Sequence, residues 1–338
     1  MRRYRNRSYV NRSKPNTLMI LISVGVLAAV AALIFWKRPA PTSKKVEVTK
    51  ERVLKAQTQS PAPALAQKPE DDAVQPLQSL SATIRGPLPH SLRRVTTREK
   101  ARFISALAAR LLIWKVDLRR GLRRGDKIKI LYRPVQEQSR FRIEAMLYKS
   151  RKHRKTFRFY RFHPSNQKFA IYYDEQGKTV EEYLENSPLK TYEQVTSILK
   201  MRPRHKGVDF KAPVGTVITL PYRARILRKN WNTRYNGLCL KVEFLGQRYR
   251  RRRVRALFLH LHKVYPKAKR GAVLPAGTPI GEVGNTGRST AAHLHYQLET
   301  RRRRIIDPYR FHRTYQRSLP AGLMDAFQTR RRSLDRRF

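Results

Sequence analysis

The seven residues from His293 to Glu299 read His-Leu-His-Tyr-Gln-Leu-Glu, alternating polar and apolar without a break. A period of two is the pattern of a half-buried strand, because successive side chains on a strand point to opposite faces. Leu294, Tyr296 and Leu298 then anchor one face. His293 and His295 project side by side from the other. Paired imidazoles on one face suit a metal, or a metal with a proton carrier beside it. A sheet surface carrying two half-exposed histidines is the competing reading of this segment alone.

The rest of the chain narrows the choice. Five of its nine histidines fall between His205 and His295. His205 and Asp209 stand four apart in Arg-His-Lys-Gly-Val-Asp-Phe. Gly207 and the β-branched Val208 place that pair on a strand or loop rather than a helix. His260 and His262 lie in Leu-Phe-Leu-His-Leu-His-Lys-Val, again at strand spacing, which predicts that they share a face. Three histidine-bearing segments in one glycine-punctuated β region are a stronger signal than any one of them. A neutral imidazole and a carboxylate are both good zinc ligands, and three protein ligands with an open position make a catalytic rather than a structural site. The one cysteine, Cys239, reads as a core residue and excludes both an internal disulfide and a cysteine-built finger.

Around this region the chain is organised in blocks. Residues 1–16 are basic, and Thr17–Trp36 follow with no charge in twenty residues. A helix of that length spans the roughly 30 Å hydrocarbon core of a bilayer. The basic flank predicts a cytoplasmic N-terminus and an external bulk. The expectation is an uncleaved signal anchor in the inner membrane with the remainder in the periplasm or outside. A cleaved signal peptide is the alternative. Residues 37–79, rich in Pro, Ala and Gln, read as a linker. Residues 80–185 read as a small α+β accessory region. It holds a helix over Arg98–Trp114 with a stripe of Phe103, Leu107, Leu111 and Ile113, followed by short strands. Its histidines, His90, His153 and His163, lack paired ligand spacing. Residues 195–312 are mostly β. Residues 313–338 form a basic tail with no core signal beyond Ala-Gly-Leu-Met-Asp-Ala-Phe.

Three motifs together, His205–Phe210 with Ala-Pro-Val-Gly-Thr, Leu257–Val264, and Gly284–Glu299 with Ile-Ile-Asp-Pro-Tyr-Arg-Phe, closely resemble the lysostaphin/LytM-type zinc metallopeptidases. Upstream, Ala108–Pro134 and Phe157–Leu189 resemble the domain preceding the peptidase in membrane-anchored murein DD-endopeptidases of the MepM kind. The resemblance implies an antiparallel β-sheet peptidase domain, so that the fold is mainly β and α+β overall. It implies hydrolysis of the peptide cross-links of bacterial peptidoglycan. It implies one zinc ion held by His205, Asp209 and His295, with His293 catalytic. The family's aromatic-x-His-Leu segment falls on His260, making it the second catalytic histidine, with His262 the alternative. It further implies that the accessory region regulates access to the groove. A departure is that His205 follows almost directly on Val195–Lys200, without the longer Arg-x-His-Pro segment usual in the family. That puts the cross-link specificity in doubt. A non-catalytic, wall-binding or amidase-activating member is the alternative function, and such proteins lose ligands that this chain keeps.

Charge sets the remaining expectation. Against 23 acidic residues stand 75 Lys and Arg, a net +52. Polyanions are the natural partners of such a surface. No nucleic-acid-binding motif is present, so anionic envelope polymers are expected instead. Arg250–Arg253 and Arg301–Arg304 each read as a turn that could lean on an acidic surface.

Overall fold

A computed structural model describes residues 75–135, 140–199, 201 and 205–338. The apolar segment 17–36 and most of the linker lie outside the described residues. Among those described, no helix is long and apolar enough to cross a membrane.

The accessory region forms one antiparallel sheet in chain order: β1 (Gln78–Thr83), β2 (Lys127–Val135), β3 (Arg140–Ser150), β4 (Lys155–Phe162) and β5 (Ile171–Tyr173). Its inward residues, among them Ile128, Ile130, Ile143 and Met146, are fully buried beneath two helices, α1 (Leu88–Leu92) and α2 (Arg98–Leu112). Thr97 caps α2 by accepting from the Lys100 N–H, and Glu99 sits in its first turn, where an acid is favoured. The buried stripe of α2 runs Ala101, Ile104, Ser105, Ala108, Leu111 and Leu112. Of the expected stripe, Leu111 is buried and Leu107 packs against the core, but Phe103 faces solvent and Ile104 takes the inward position beside it.

The second sheet holds ten strands: β7 (Gln194–Ser197), β8 (Val208–Lys211), β9 (Val217–Thr219), β10 (Ala224–Lys229), β11 (Leu238–Tyr249), β12 (Arg252–Val264), β13 (Val273–Leu274), β14 (Pro279–Val283), β15 (His293–Thr300) and β16 (Ile305–Ile306). The main path runs β13-β10-β11-β12-β15-β8-β7. Phe210, Leu240, Val242, Phe258, Leu294, Tyr296 and Leu298 fill one core between this sheet and its flanking turns. Cys239 is buried outside that cluster as a free thiol, donating to the Trp231 carbonyl. Trp114, just past α2, packs against both cores and meets Tyr309 edge-on at 5.2 Å. Tyr309 lies on the short helix α4 (Pro308–Phe311), and a further short turn, α3 (Thr233–Asn236), precedes β11.

The tail departs most from expectation. A two-stranded ladder, β6 (Tyr183–Leu184) with β17 (Thr314–Tyr315), begins its return. Lys178 then bridges Ser318, and the final helix α5 (Met324–Asp335) lies on the accessory sheet. Phe327 is 1% exposed and sits edge-on to Tyr160, Phe162 and Tyr173 at 5.6–6.2 Å. The Tyr160 hydroxyl donates to Asp335. The tail is therefore a core element of the accessory sheet, contributed by the part of the chain that follows the second sheet.

Candidate metal centre

Asp209 on β8 and His295 on β15 are direct cross-strand partners, and Ser197 on β7 pairs with Asp209 from the other side. The register alone therefore sets a carboxylate beside an imidazole toward the β7 side of the sheet. His205 reaches the same point from the loop before β8. Gly207 makes that approach possible: a Cβ there would run into the Tyr296 carbonyl oxygen and crowd the His295 ring.

His205, Asp209 and His295 offer three ligand atoms within 4.8 Å of one another. His295 Nδ1 lies 2.7 Å and His205 Nε2 3.1 Å from the same oxygen, Asp209 Oδ1. His205 Nδ1–H donates to the Ile198 carbonyl at 2.9 Å, which leaves Nε2 as the lone-pair atom. That Nε2 is buried and has no hydrogen-bond partner of its own, since its approach to Asp209 lacks hydrogen-bond geometry. A buried nitrogen lone pair aimed beside a carboxylate oxygen is the donor set a divalent cation takes. Two imidazoles and one carboxylate suit zinc in composition and number. Burial works to raise the Asp209 carboxyl, but the His205 and His295 imidazoles outweigh it and hold the group well below the usual carboxylate range.

His293 stands two residues before His295 on the same face, its Nε2 3.8 Å from Asp209 Oδ1. Its Nδ1–H donates to the Ala291 carbonyl at 2.8 Å, with Ser289 Oγ at 3.2 Å. His260 faces it across the strands, ring centroids 4.9 Å apart. His260 Nδ1–H donates to the Thr286 carbonyl at 2.9 Å. Burial, partly opposed by that hydrogen bond, lowers the His260 pKa. Both rings thus present Nε2 as a lone pair, fit to accept a proton in the neutral form and donate it in the charged one.

The expectation that His260 and His262 share a face does not hold. Opposite β11, Leu238 pairs Leu261 and Leu240 pairs Phe258, so two residues of β12 face one of β11. His260 occupies that bulge at φ +67°, and alternation breaks there: His260 is 9% exposed while His262 faces solvent. Bulges re-aim side chains in this way and recur beside functional sites. Between the two histidines left open by spacing, the structure brings only His260 to the cluster.

Thr286 was not expected. Its hydroxyl donates to the Leu261 carbonyl at 2.7 Å and accepts the Leu238 N–H at 2.9 Å, while its carbonyl orients His260. Its signal was the Gly-Asn-Thr-Gly turn just ahead of the paired histidines. His312 is also buried, but it sits behind the sheet between the Tyr222 and Tyr296 hydroxyls, where burial pushes its pKa down to about 4.

Residues 203–308 match the family model described as Peptidase family M23. Over 236 residues the chain is 28% identical to the peptidoglycan DD-endopeptidase ShyA of Vibrio cholerae, covering 67% of this chain and 51% of that one. A second relative, the V. cholerae peptidoglycan DD-endopeptidase ShyB, is 28% identical over 56% of this chain and 44% of its own. The chain spans about half the length of these curated relatives. Among solved structures, a zinc-containing peptidase from V. cholerae aligns with 25% identity and a TM-score of 0.31, over 69% of this chain and 71% of that one. The catalytic domain of lysostaphin from Staphylococcus simulans aligns over 39% of this chain and 90% of its own, at 26% identity and a TM-score of 0.29.

Proposed function

Because the chain carries a peptidase family M23 domain at residues 203–308, we propose that it is a zinc-dependent endopeptidase hydrolysing the peptide cross-links of bacterial peptidoglycan. The observation that carries this reading is the convergence of His205, Asp209 and His295 on one point, with His293 and His260 beside it. The V. cholerae relatives named for DD-endopeptidase activity support the substrate class.

His205 Nε2, Asp209 and His295 Nδ1 would hold the zinc. When bound, it supplies Lewis acidity that polarises the scissile carbonyl and brings the pKa of a water toward neutrality. Asp209 stays ionised because the two imidazoles stabilise its charge. His293 Nε2 is placed to take a proton from the attacking water and return it to the leaving amine. His260, once protonated, stabilises negative charge developing on the carbonyl oxygen. The Ala291 carbonyl fixes His293 in the tautomer whose Nε2 is free to take a proton, and the Thr286 carbonyl holds the His260 ring so that Nε2 is the atom that gains the proton.

The apolar segment Thr17–Trp36 and its basic flank support a single-pass inner-membrane anchor, with the peptidase on the far side where its substrate lies. The accessory sheet, joined to the peptidase sheet through Trp114, suits control of access to the groove.

The test is to incubate the zinc-loaded full chain with a soluble cross-linked muropeptide dimer, with and without chelator, and to analyse the products by mass. Cleavage at the cross-link that stops with chelator and returns with zinc is expected. Absence of cleavage by the zinc-loaded chain would overturn the proposal in favour of a non-catalytic wall-binding member.

A further inference from the structure

The second sheet has one end made almost wholly of arginine. Arg250 and Arg251 form the tip of the β11–β12 hairpin, between paired Tyr249 and Arg252. On the neighbouring strand, Val254 pairs Thr300, so the turn Arg301–Arg304 emerges beside Arg253. Two basic runs separated by about fifty residues of chain thus meet at one edge, and Arg248, opposite Arg253, adds a ninth guanidinium. All nine face solvent.

Nothing within the described residues neutralises most of this cluster. Glu243 and Glu299 are the nearby acids on the sheet. Glu243 is taken by Arg253 at 3.2 Å and Arg255 at 3.3 Å, and Glu299 by Lys241 at 2.5 Å. Among the described residues, none of Arg250, Arg251, Arg252 or Arg301–Arg304 forms an ion pair.

Backbone conformation makes the same point independently. Arg250, Arg251 and Arg303 adopt φ of +47°, +62° and +58°. These are left-handed positions, where glycine or asparagine is the ordinary choice and a long side chain is strained. The chain holds arginine at three turn positions where local geometry favours another residue, and it crowds like charges while doing so. Strain of this kind persists where the side chain has a task. The residue used is arginine throughout, with no lysine, and its planar fork matches a carboxylate with two parallel hydrogen bonds.

We propose that this arginine edge is a docking surface for the free carboxylates of the peptidoglycan that the enzyme cuts. The inference rests on the substrate reading above. The location fits that partner. Thr300 lies five residues along β15 from His295, about 17 Å at the rise of a strand. Along that path the same face carries Gln297 and Glu299 from β15, both largely buried, and the partly exposed Arg255 from β12. A polymer bearing acidic peptides at close intervals can therefore occupy the metal cluster and the arginine edge at once. Several weak exposed contacts acting together raise the local concentration of substrate without touching the chemistry.

The experiment uses the full chain and a variant combining Arg250→Asn, Arg251→Gly, Arg302→Ser and Arg303→Gly. The replacements at Arg250, Arg251 and Arg303 suit left-handed positions, so the turns keep their form, as circular dichroism and a melting temperature no lower than that of wild type will confirm. Co-sedimentation with purified sacculi should weaken about tenfold at 0.15 M salt. Wild-type binding should fall by a similar factor on sacculi whose carboxylates have been amidated, and at 1 M salt. Cleavage of the small soluble muropeptide dimer should be unchanged in the variant. Variant binding equal to wild type overturns the proposal, as does wild-type binding that ignores amidation. Loss of binding to vesicles of anionic phospholipid, with sacculus binding intact, overturns it in favour of a membrane surface. Failure of the wild type to cleave the soluble dimer is a separate result: it removes the enzymatic reading and leaves sacculus binding to be judged by itself.

Discussion

His260 is where backbone and proposed chemistry are most tightly joined, and replacing it separates the two. Alanine removes the imidazole but keeps a Cβ at φ +67°. Glycine removes the imidazole and the steric conflict together. Loss of a group that stabilises charge in the transition state costs about 10²–10³ in kcat, or roughly 3–4 kcal/mol of barrier. Both variants should show that loss with zinc content unchanged, because His260 Nδ1 is committed to the Thr286 carbonyl and the three ligand atoms lie on other residues. Their stabilities should differ. A left-handed non-glycine residue costs about 1–2 kcal/mol, and the extra unfolded-state freedom of glycine returns about 0.5–1 of that. His260→Gly should therefore be more stable than His260→Ala by about 0.5–1 kcal/mol, a melting difference of roughly 1–4 °C. Turnover on the soluble dimer, metal analysis and thermal denaturation read the three quantities. An inactive His262→Ala beside an active His260→Ala would refute the assignment. A glycine variant less stable than the alanine one would refute the strained bulge.

Three further outcomes are expected. His295→Ala should lose most of its zinc by metal analysis of the folded protein, since it removes one of three ligand atoms; full occupancy would place His295 outside the site. Phe327→Ala should destabilise the accessory sheet by about 3–5 kcal/mol in denaturant titration, because it empties a site walled by Tyr160, Phe162 and Tyr173; a loss under 1 kcal/mol would mean that α5 does not pack as described. Glu181 is buried, and desolvation, partly offset by the Val195 N–H it accepts, pushes its pKa up from 4.5 to about 7. Between those values the unfolded chain has released a proton that the folded one keeps, so the Glu181 contribution should fall by up to about 3 kcal/mol as pH rises from 4.5 to 7, opposing the gain that buried His312, held at about 4, makes over much of the same range. Glu181→Gln should remove the falling part, so that its stability relative to wild type climbs from pH 4.5 to 7, and a pH-independent difference would refute the assignment.

Much of this protein is legible in its sequence because the relevant patterns are local. Alternation marks most strands of both sheets, and the spacing of His293 and His295 places both on one face of β15 wherever that strand goes. The motif resemblance picked out His205, Asp209 and His295 before their distances were known. What tertiary structure decided was non-local. Nothing near Asp209 says that it pairs with His295, 86 residues on; the β8–β15 register sets that. Spacing alone put His260 and His262 together, and a bulge, visible only against β11, separates them. The tail showed no core signal beyond the segment ending at Phe327, because Phe327 and Leu334 find their cover on strands that precede them by more than 150 residues. The two arginine runs are likewise unremarkable turns until the β12–β15 pairing sets them side by side. Local sequence specifies which face a residue takes, whereas the partner across the sheet depends on register, which only the assembled core selects.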